Sequence, residues 1–445
     1  MYHFHENLFT DVRIIRETSV SYAIQNGTVM SDSKVSSIGA RIRVYDGTMW
    51  YTGTINSLEN IQKEIDNLSE IARANEAIYD DPVIRNFGSS QADVRKYAGA
   101  GNLETIDPEE YRELVRRSYE CCGEASVPEI CSSYSSFFAT YQEKEYYSSK
   151  GASVLQDMQR FCLYAGGGIV VNGITTQFFK GYQEMSFDLL KGHEEEICAE
   201  RERYMDYAKN CVDVVPGEYV CVLAPIVTAM FTHESFGHKS EADFMLNDKT
   251  LRDEWVLGKK VGNDLVSICD CGSLDNNGYL PYDDEGNPAT ETWLIKNGVL
   301  TGRLHDSKSA AALGEAVTGN ARADGVGNSP IVRMTNTYMV AGTQSPEDII
   351  AEVQDGLYVY NVNYGTGSST FTMQPNLCYR IRDGKLCEPV RANVLAGSVF
   401  KTLFDIDALG NDFILFNMFT CGKGNQSAPV SAGGPTIRVK QLNVN

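Results

Sequence analysis

The segment Phe231-Thr232-His233-Glu234-Ser235-Phe236-Gly237-His238 decides how the C-terminal half of this chain is read. It follows a short apolar strand, Tyr219 to Leu223, and then Pro225, whose missing N–H suits the first turn of a helix. A helix is therefore expected to carry both histidines. On a regular helix, residues at i and i+5 are rotated about 140° apart at roughly 100° per residue. Two histidines that chelate one ion normally sit at i and i+4. Either these two point to different faces and share no task, or the helix takes in an extra residue as a π-bulge and restores a common face. Gly237 is a residue type that permits local distortion. The chain has only six histidines, and two of them beside a glutamate at this spacing favour the second outcome. Imidazole is a standard zinc ligand, and an adjacent carboxylate can take a proton from water. His233 and His238 are thus read as metal ligands and Glu234 as a general base.

A catalytic zinc usually keeps three protein ligands and one open position, so a third donor is needed. Glu241 and Asp243 lie one to two turns further on. Cys421 lies far away in Thr420-Cys421-Gly422-Lys423-Gly424-Asn425-Gln426, where glycine and lysine neighbours favour a thiolate. Residue chemistry alone leaves all three open.

Outward from this segment, the chain divides at the turn Pro216-Gly217. An N-terminal α/β domain of strands and amphipathic helices (1–213) is expected before a mostly β C-terminal domain (214–445) that carries the metal helix, an α+β fold. Ile38, Ala40, Ile42 and Val44 alternate with Gly39, Arg41 and Arg43 as on a half-buried strand. Asn26-Gly27 and Asp46-Gly47 read as hairpin turns, and Asn297-Gly298, Asp383-Gly384 and Gly433-Gly434 further on as turns between strand-like segments. Leu58, Ile61, Ile65, Leu68 and Ile71 predict a helix over 57–78, capped by Asn56 or Ser57. A second helix is expected over 108–120, then strands over 130–186 broken by turns such as Ala165-Gly166-Gly167-Gly168. Residues 187–210 read as a charged, solvated helix, which accounts for Glu195, Glu196 and Glu200 without a metal. Ser345 and Pro346 open one more helix over 346–356.

Composition narrows the function classes. With 39 basic and 59 acidic residues the chain lacks the basic footprint of a nucleic-acid binder. It has no apolar stretch near the ~18 residues of a membrane span and no signal-like N-terminus. Twelve scattered cysteines then read as reduced thiols of a cytoplasmic protein. Twenty-four tyrosines fit extensive β-surfaces and a dimer interface.

These motifs together resemble the TldD/PmbA family, the modulators of DNA gyrase, in its metal-bearing branch. The resemblance rests on Thr232–His238 with Glu241 and Asp243, on Asp283-Asp284-Glu285-Gly286 and on Asn297-Gly298-Val299-Leu300-Thr301-Gly302. Thr318-Gly319-Asn320, Arg333-Met334-Thr335-Asn336-Thr337-Tyr338 and Cys421-Gly422-Lys423 continue it. It implies a zinc metallopeptidase with Zn2+ held by His233, His238 and Cys421, and with Glu234 as base. It also implies peptide or unfolded-protein substrates lying along a strand edge, and a homodimer or a heterodimer with a metal-free relative. The chain departs from the family pattern at Asn425, where a glycine is usual, and at Tyr364-Gly365-Thr366-Gly367, where a Gly-Gly pair is expected. Glu241 and Asp243 are then expected around the ligands, orienting a histidine. His305 and Tyr338 are weaker oxyanion candidates, better read as satisfied side chains, and Cys269 and Cys271 as ordinary thiols. The rival readings are a non-catalytic regulatory or binding protein and a metallopeptidase whose third ligand is a carboxylate.

Overall fold

A computed structural model describes residues 2–99, 101–123, 127–367 and 369–445. Strands Phe9–Gln25 and Thr28–Tyr45 form a long antiparallel hairpin. It turns at Asn26 and Gly27, with φ of 48° and 77°, the two positive values of a type I′ turn. Ala40, Ile42 and Val44 are buried as the alternation predicts, whereas Ile38 lies beyond the covered stretch of the strand and is exposed. Asp46-Gly47 makes a different turn. Its loop is held by the Asp46 carboxylate, which accepts the N–H groups of Thr48 and Met49 at 2.8 Å each, and of the pair only Gly47 has positive φ.

The N-terminal sheet has seven strands. Its path runs Trp50–Ile55, Thr28–Tyr45, Phe9–Gln25, Ile130–Ser148, Ser153–Val171, Gln91–Asp93, with Ile174–Glu184 also paired to Ser153–Val171. Gly166, Gly167 and Gly168 lie inside strand Ser153–Val171 and do not break it. A Cβ on Gly166 would stand 2.5 Å from the Phe178 carbonyl oxygen, and one on Gly167 2.4 Å from that of Ser132. Glycine is there for close approach of neighbouring strands.

The helices are shorter or more buried than expected. Helix Ile61–Ile71 buries Ile61, Ile65 and Leu68 but ends at Ala72, which turns extended at ψ 153° and leaves Ile71 exposed. Beyond it Asn75 is tied to other loops, its N–H to the Asn7 carbonyl and its side chain to that of Asp46. Pro108–Cys121 forms with Asp107 as its cap. Helix Glu194–Asn210 is not merely solvated. Ile197, Tyr204, Met205 and Tyr207 are buried, and Glu200, 3% exposed, pairs with Arg203 at 3.0 Å. Charge counting missed this because Glu195, Glu196, Glu202 and Asp206 are exposed on the other side of the same turns.

The C-terminal half is mostly β. Asp355–Gly367, Gly217–Leu223, Ile437–Val444, Leu395–Ser398 and Thr370–Arg382 are neighbours in that order, and the first pairs back to the last, closing a ring. A six-stranded sheet lies beside it, in the order Val299–Leu300, Glu291–Lys296, Ile268–Cys271, Asn336–Met339, Gln426–Gly434, Ile414–Lys423. Asn297-Gly298 and Asp383-Gly384 turn with positive φ at both residues. Gly433 and Gly434 do not turn; they end a strand, and a Cβ on Gly434 would meet the Thr228 Cγ2 at 2.6 Å, so glycine seats the helix that contains Thr228. Helix Pro346–Ala351 is capped by Ser345 but stops early, since strand Asp355–Gly367 soon begins. Among the described residues no helix is long and apolar enough to cross a membrane.

The two halves meet through buried charges. Lys144 Nζ lies 3.1 Å from Asp284 Oδ1, and Arg13 donates to the Gly325 and Asn328 carbonyls at 2.8 Å each. Beside them, within the N-terminal half, the Arg43 guanidinium grips Asp11, with Nε 2.9 Å from Oδ1.

Candidate metal centre

Helix Pro225–Thr232 is seated by apolar side chains: Val227, Ala229 and Phe231 are buried, and Phe231 packs edge-on against Phe236 and Phe371. The backbone then widens over His233–Gly237 into a π-helical turn, in which the His238 N–H donates to the His233 carbonyl. This is the distortion that the i, i+5 spacing requires. The imidazoles return to one side, with ring centroids 5.1 Å apart at 80°. Gly237 itself has ordinary helical angles (φ −55°, ψ −59°). Its reason is space, because a Cβ there would stand 2.0 Å from Met334 Sδ.

Cys421 comes to this face from edge strand Ile414–Lys423. Its Sγ lies 3.4 Å from His238 Nε2, and one donor atom each from His233, His238 and Cys421 fall within 4.8 Å of one another. Among the described residues this is the one group of three or more such side chains with metal-holding geometry. His233 Nδ1 is buried with no protein partner, a donor atom left for something else. The His233 ring also stacks on Phe419, centroids 6.1 Å apart at 16°.

The electrostatics suit a cation. Burial would raise the Cys421 thiol, but hydrogen bonds from His233 and His238 outweigh it and bring it down to about 5, which favours the thiolate. Burial would likewise depress His238, yet Cys421 and Glu241 push it up to about 10. Both shifts describe one coupled thiolate–imidazolium contact, and a bound cation would take over the role of the imidazolium proton. Glu234 is raised above the ordinary carboxylate range by burial, against the pull of the two histidines.

Glu241 and Asp243 sit around this group. The helix ends at Ser240 and Glu241 is extended (ψ 104°), yet its Oε2 reaches His238 Nδ1 at 3.0 Å. Lys423 lies 3.4 Å from Glu241 Oε2 and 2.7 Å from Asp243 Oδ1, and also donates to the Val332 carbonyl. Lys423 and Arg333, whose Nη2 donates to the Cys421 carbonyl, are supporting groups that carried no role in the sequence reading. Their positions inside the quoted motifs were the available signal. Asn425 is no obstacle: with Gly424 it makes a two-residue turn, φ 58° at both, which asparagine tolerates. Gly365 and Gly367 press strand Asp355–Gly367 onto the π-turn, where a Cβ on Gly367 would stand 2.7 Å from the Glu234 carbonyl oxygen.

The remaining candidates are occupied elsewhere. His305, 1% exposed, lies 3.1 Å from Ser309 Oγ and 3.0 Å from Glu315 Oε2. Tyr338 lies on strand Asn336–Met339 against Phe413, opposite Cys269. Cys269 is a buried thiol pushed up to about 12, and Cys269 and Cys271 are both free.

Two imidazoles, a thiol and a half-buried carboxylate on one distorted helix and one strand are the side chains that a metallohydrolase centre would use. Residues 216–445 match the PmbA/TldA metallopeptidase C-terminal domain, and residues 10–75 match PmbA/TldA metallopeptidase domain 1. A metalloprotease of Methanothermobacter thermautotrophicus is 30% identical over 98% of this chain and 95% of its own. A zinc metalloprotease TldD homolog of Saccharolobus solfataricus is 32% identical over 71% of this chain and 72% of its own. The crystal structure of TldE from Thermococcus kodakarensis shares the fold, with a TM-score of 0.76 at 16% identity over 98% and 96% of the two chains. The chain belongs to the PmbA/TldA metallopeptidase family.

Proposed function

We propose that this protein is a zinc-dependent peptidase in which His233, His238 Nε2 and Cys421 hold Zn2+ and Glu234 is the general base. The observation that carries the reading is the 3.4 Å between Cys421 Sγ and His238 Nε2. A nitrogen and a sulfur on one tetrahedral zinc stand about 3.5 Å apart, given bonds of ~2.0 and ~2.3 Å. Zinc in such a site acts as a Lewis acid and lowers the pKa of water towards ~7. Glu234 follows His233 in the chain, and its raised pKa brings it nearer the working pH of a base. It takes the proton of the attacking water and hands it to the departing amine nitrogen. Glu241 holds the His238 ring by its Nδ1 and leaves Nε2 free to bind metal.

The substrate in this reading is an extended peptide or unfolded segment. Strand Ile414–Lys423 stands at the end of its sheet, so its outer backbone groups are available to pair with another strand beside Cys421. A dimer, with a second copy or a TldE-like subunit, is favoured by the far end of the first hairpin. There Val29, Met30 and Val35 are 52%, 62% and 61% exposed. Twelve free cysteines favour the cytoplasm. The test is metal analysis of the purified chain together with peptide cleavage by wild type and Glu234→Gln. The variant should keep its zinc and lose roughly 10²-fold or more of the rate. Cleavage at the wild-type rate would remove Glu234 from the chemistry.

A further inference from the structure

A cavity of about 210 Å³ lies between the N-terminal sheet and the sheet that carries Cys421. Its walls include alternate residues of two strands, Phe138, Thr140, Gln142 and Lys144 on one and Met158, Arg160, Cys162 and Tyr164 on the other. Phe138, Thr420 and Ser427 on its lining are exposed, so the cavity opens beside the residue that precedes Cys421.

Three arginines line it: Arg160, Arg322 and Arg333, exposed by 8%, 7% and 1%. Among the described residues none of them is ion-paired. Arg160 donates through Nε to the Asn277 carbonyl at 3.1 Å, and its terminal nitrogens have no protein acceptor. Arg322 reaches only the Met334 and Pro429 carbonyls, and Arg333 only those of Gln426 and Cys421. Arg333 Nε is buried without a partner. The other charges on the lining are already engaged. Lys144 pairs with Asp284, Glu17 accepts from Gln142 at 2.6 Å, and Asp324 accepts the Ser427 N–H at 2.9 Å.

Buried cations with free donors are costly unless an anion joins them. Burial, only partly offset by the field of Glu17 at Arg160 and of Asp284 and Asp270 at Arg322, holds both down to about 10, well below the usual guanidinium range. In a chain with 59 acidic residues against 39 basic, so many unpaired guanidinium groups around one cavity mark a place for a ligand. Its volume equals about seven waters at ~30 Å³ each, room for the last residue of a peptide with its carboxylate. Planar guanidinium groups suit a carboxylate, which can accept two parallel N–H bonds.

We propose that this cavity is an anion-binding subsite that takes the terminal carboxylate of a peptide lying along strand Ile414–Lys423. The proposal rests on the peptidase reading for its ligand, but the binding itself needs no metal. The experiment therefore uses the full chain after chelator treatment. A fluorescent tetra-alanine peptide with a free carboxylate is titrated against its C-terminal amide and against an amide ending in aspartate. The free acid should bind at least about 10-fold tighter than the plain amide. Arg160→Met should bring the acid to the level of the amide, and Arg160→Lys should keep part of the preference. Arg160 makes a single protein hydrogen bond, and a melting curve on each variant verifies that it folds. Equal binding of acid and amide by wild type overturns the proposal, as does an undiminished preference in a folded Arg160→Met. Tight, Arg160-dependent binding of the aspartyl amide supports the anion site and overturns its assignment to the chain end. Zinc content and Glu234→Gln kinetics, measured separately, report on the peptidase reading.

Discussion

The charged seam between the two halves and the cluster on the π-turn are both buried and polar, and they are partnered in opposite ways. In the seam, cation and anion meet: Lys144 pairs with Asp284 across the halves, Arg43 with Asp11 beside it within the first half, and Arg13 Nη2 donates to two carbonyls, with Arg13 Nε left unmatched. On the π-turn, His233 Nδ1 has no partner, and Cys421 and His238 turn their donor atoms on each other. Folding alone accounts for the seam. In the proposed reading a cation from outside would complete the cluster, and a buried donor left unmatched costs about 1–3 kcal/mol. The ion pair thus marks a structural joint, and the three metal-ligand side chains that face one another mark the candidate binding place.

The largest effect that separates the two regions is expected from Cys421→Ala. It should lose most of its bound zinc and nearly all peptide cleavage, while the unfolding midpoint of the metal-free protein barely moves. Full zinc by elemental analysis in this variant would place the third ligand elsewhere, with Glu241 the first alternative.

Lys144→Met attacks the seam instead. It strips Asp284 of its nearest cation, since Arg13 stands further off at 3.9 Å. A cost of about 3–5 kcal/mol in urea unfolding is expected for breaking a buried pair, with zinc per folded chain unchanged. If zinc fell in step with stability, the two regions would not be independent.

Glu241→Ala acts between these extremes. The loss of its hydrogen bond to His238 Nδ1 should weaken zinc about 10–100-fold without abolishing it. A competition titration against a chelator of known affinity measures this, and an unchanged affinity would make Glu241 a partner of Lys423 only.

The smallest effect concerns pH. Burial, with Asp306 nearby, raises the Glu285 carboxyl from its ordinary value to about 7. A carboxyl whose folded pKa is raised binds its proton more tightly in the folded state. Its contribution is therefore favourable at low pH and is lost as pH rises from the unfolded value, near 4.5, through about 7. Glu285→Gln keeps an oxygen for the Ser307 N–H, which now donates at 2.8 Å, and removes the titration. Urea midpoints of the variant should depend less on pH between about 4.5 and 7 than those of wild type. Parallel profiles would mean that Glu285 titrates normally.

Signals confined to a few residues were legible in the chain. The i, i+5 histidines called for a π-turn, Asn26-Gly27 for a two-residue hairpin, and Ser345 for a cap, and each is met where it was read. These depend on local dihedral angles and hydrogen bonds, which the adjacent side chains control. Glycine was the weakest of these signals. It reads as a turn at Gly166 and Gly433, and the structure uses it there to let another backbone or a helix come close.

The arrangement of distant segments was not legible from residue chemistry. Cys421 and His233 are far apart in the chain, and Glu241 was an equally good donor on local grounds. What brings the sulfur in is sheet register: Asn336–Met339 runs parallel to Gln426–Gly434, whose hairpin partner Ile414–Lys423 carries Cys421 past the π-turn. Arg160 and Arg322 were likewise unremarkable in sequence, since an arginine on a strand is normally solvated. Only the stacking of one sheet on the other removes their water and leaves them facing a common space. The sequence by itself determined the two histidines, the glutamate beside them and the π-turn in the helix that joins them, because neighbouring residues control local backbone geometry. The tertiary structure decided which thiol meets them and which cations lose their solvent, because both depend on strand pairing and burial between segments that no local pattern relates.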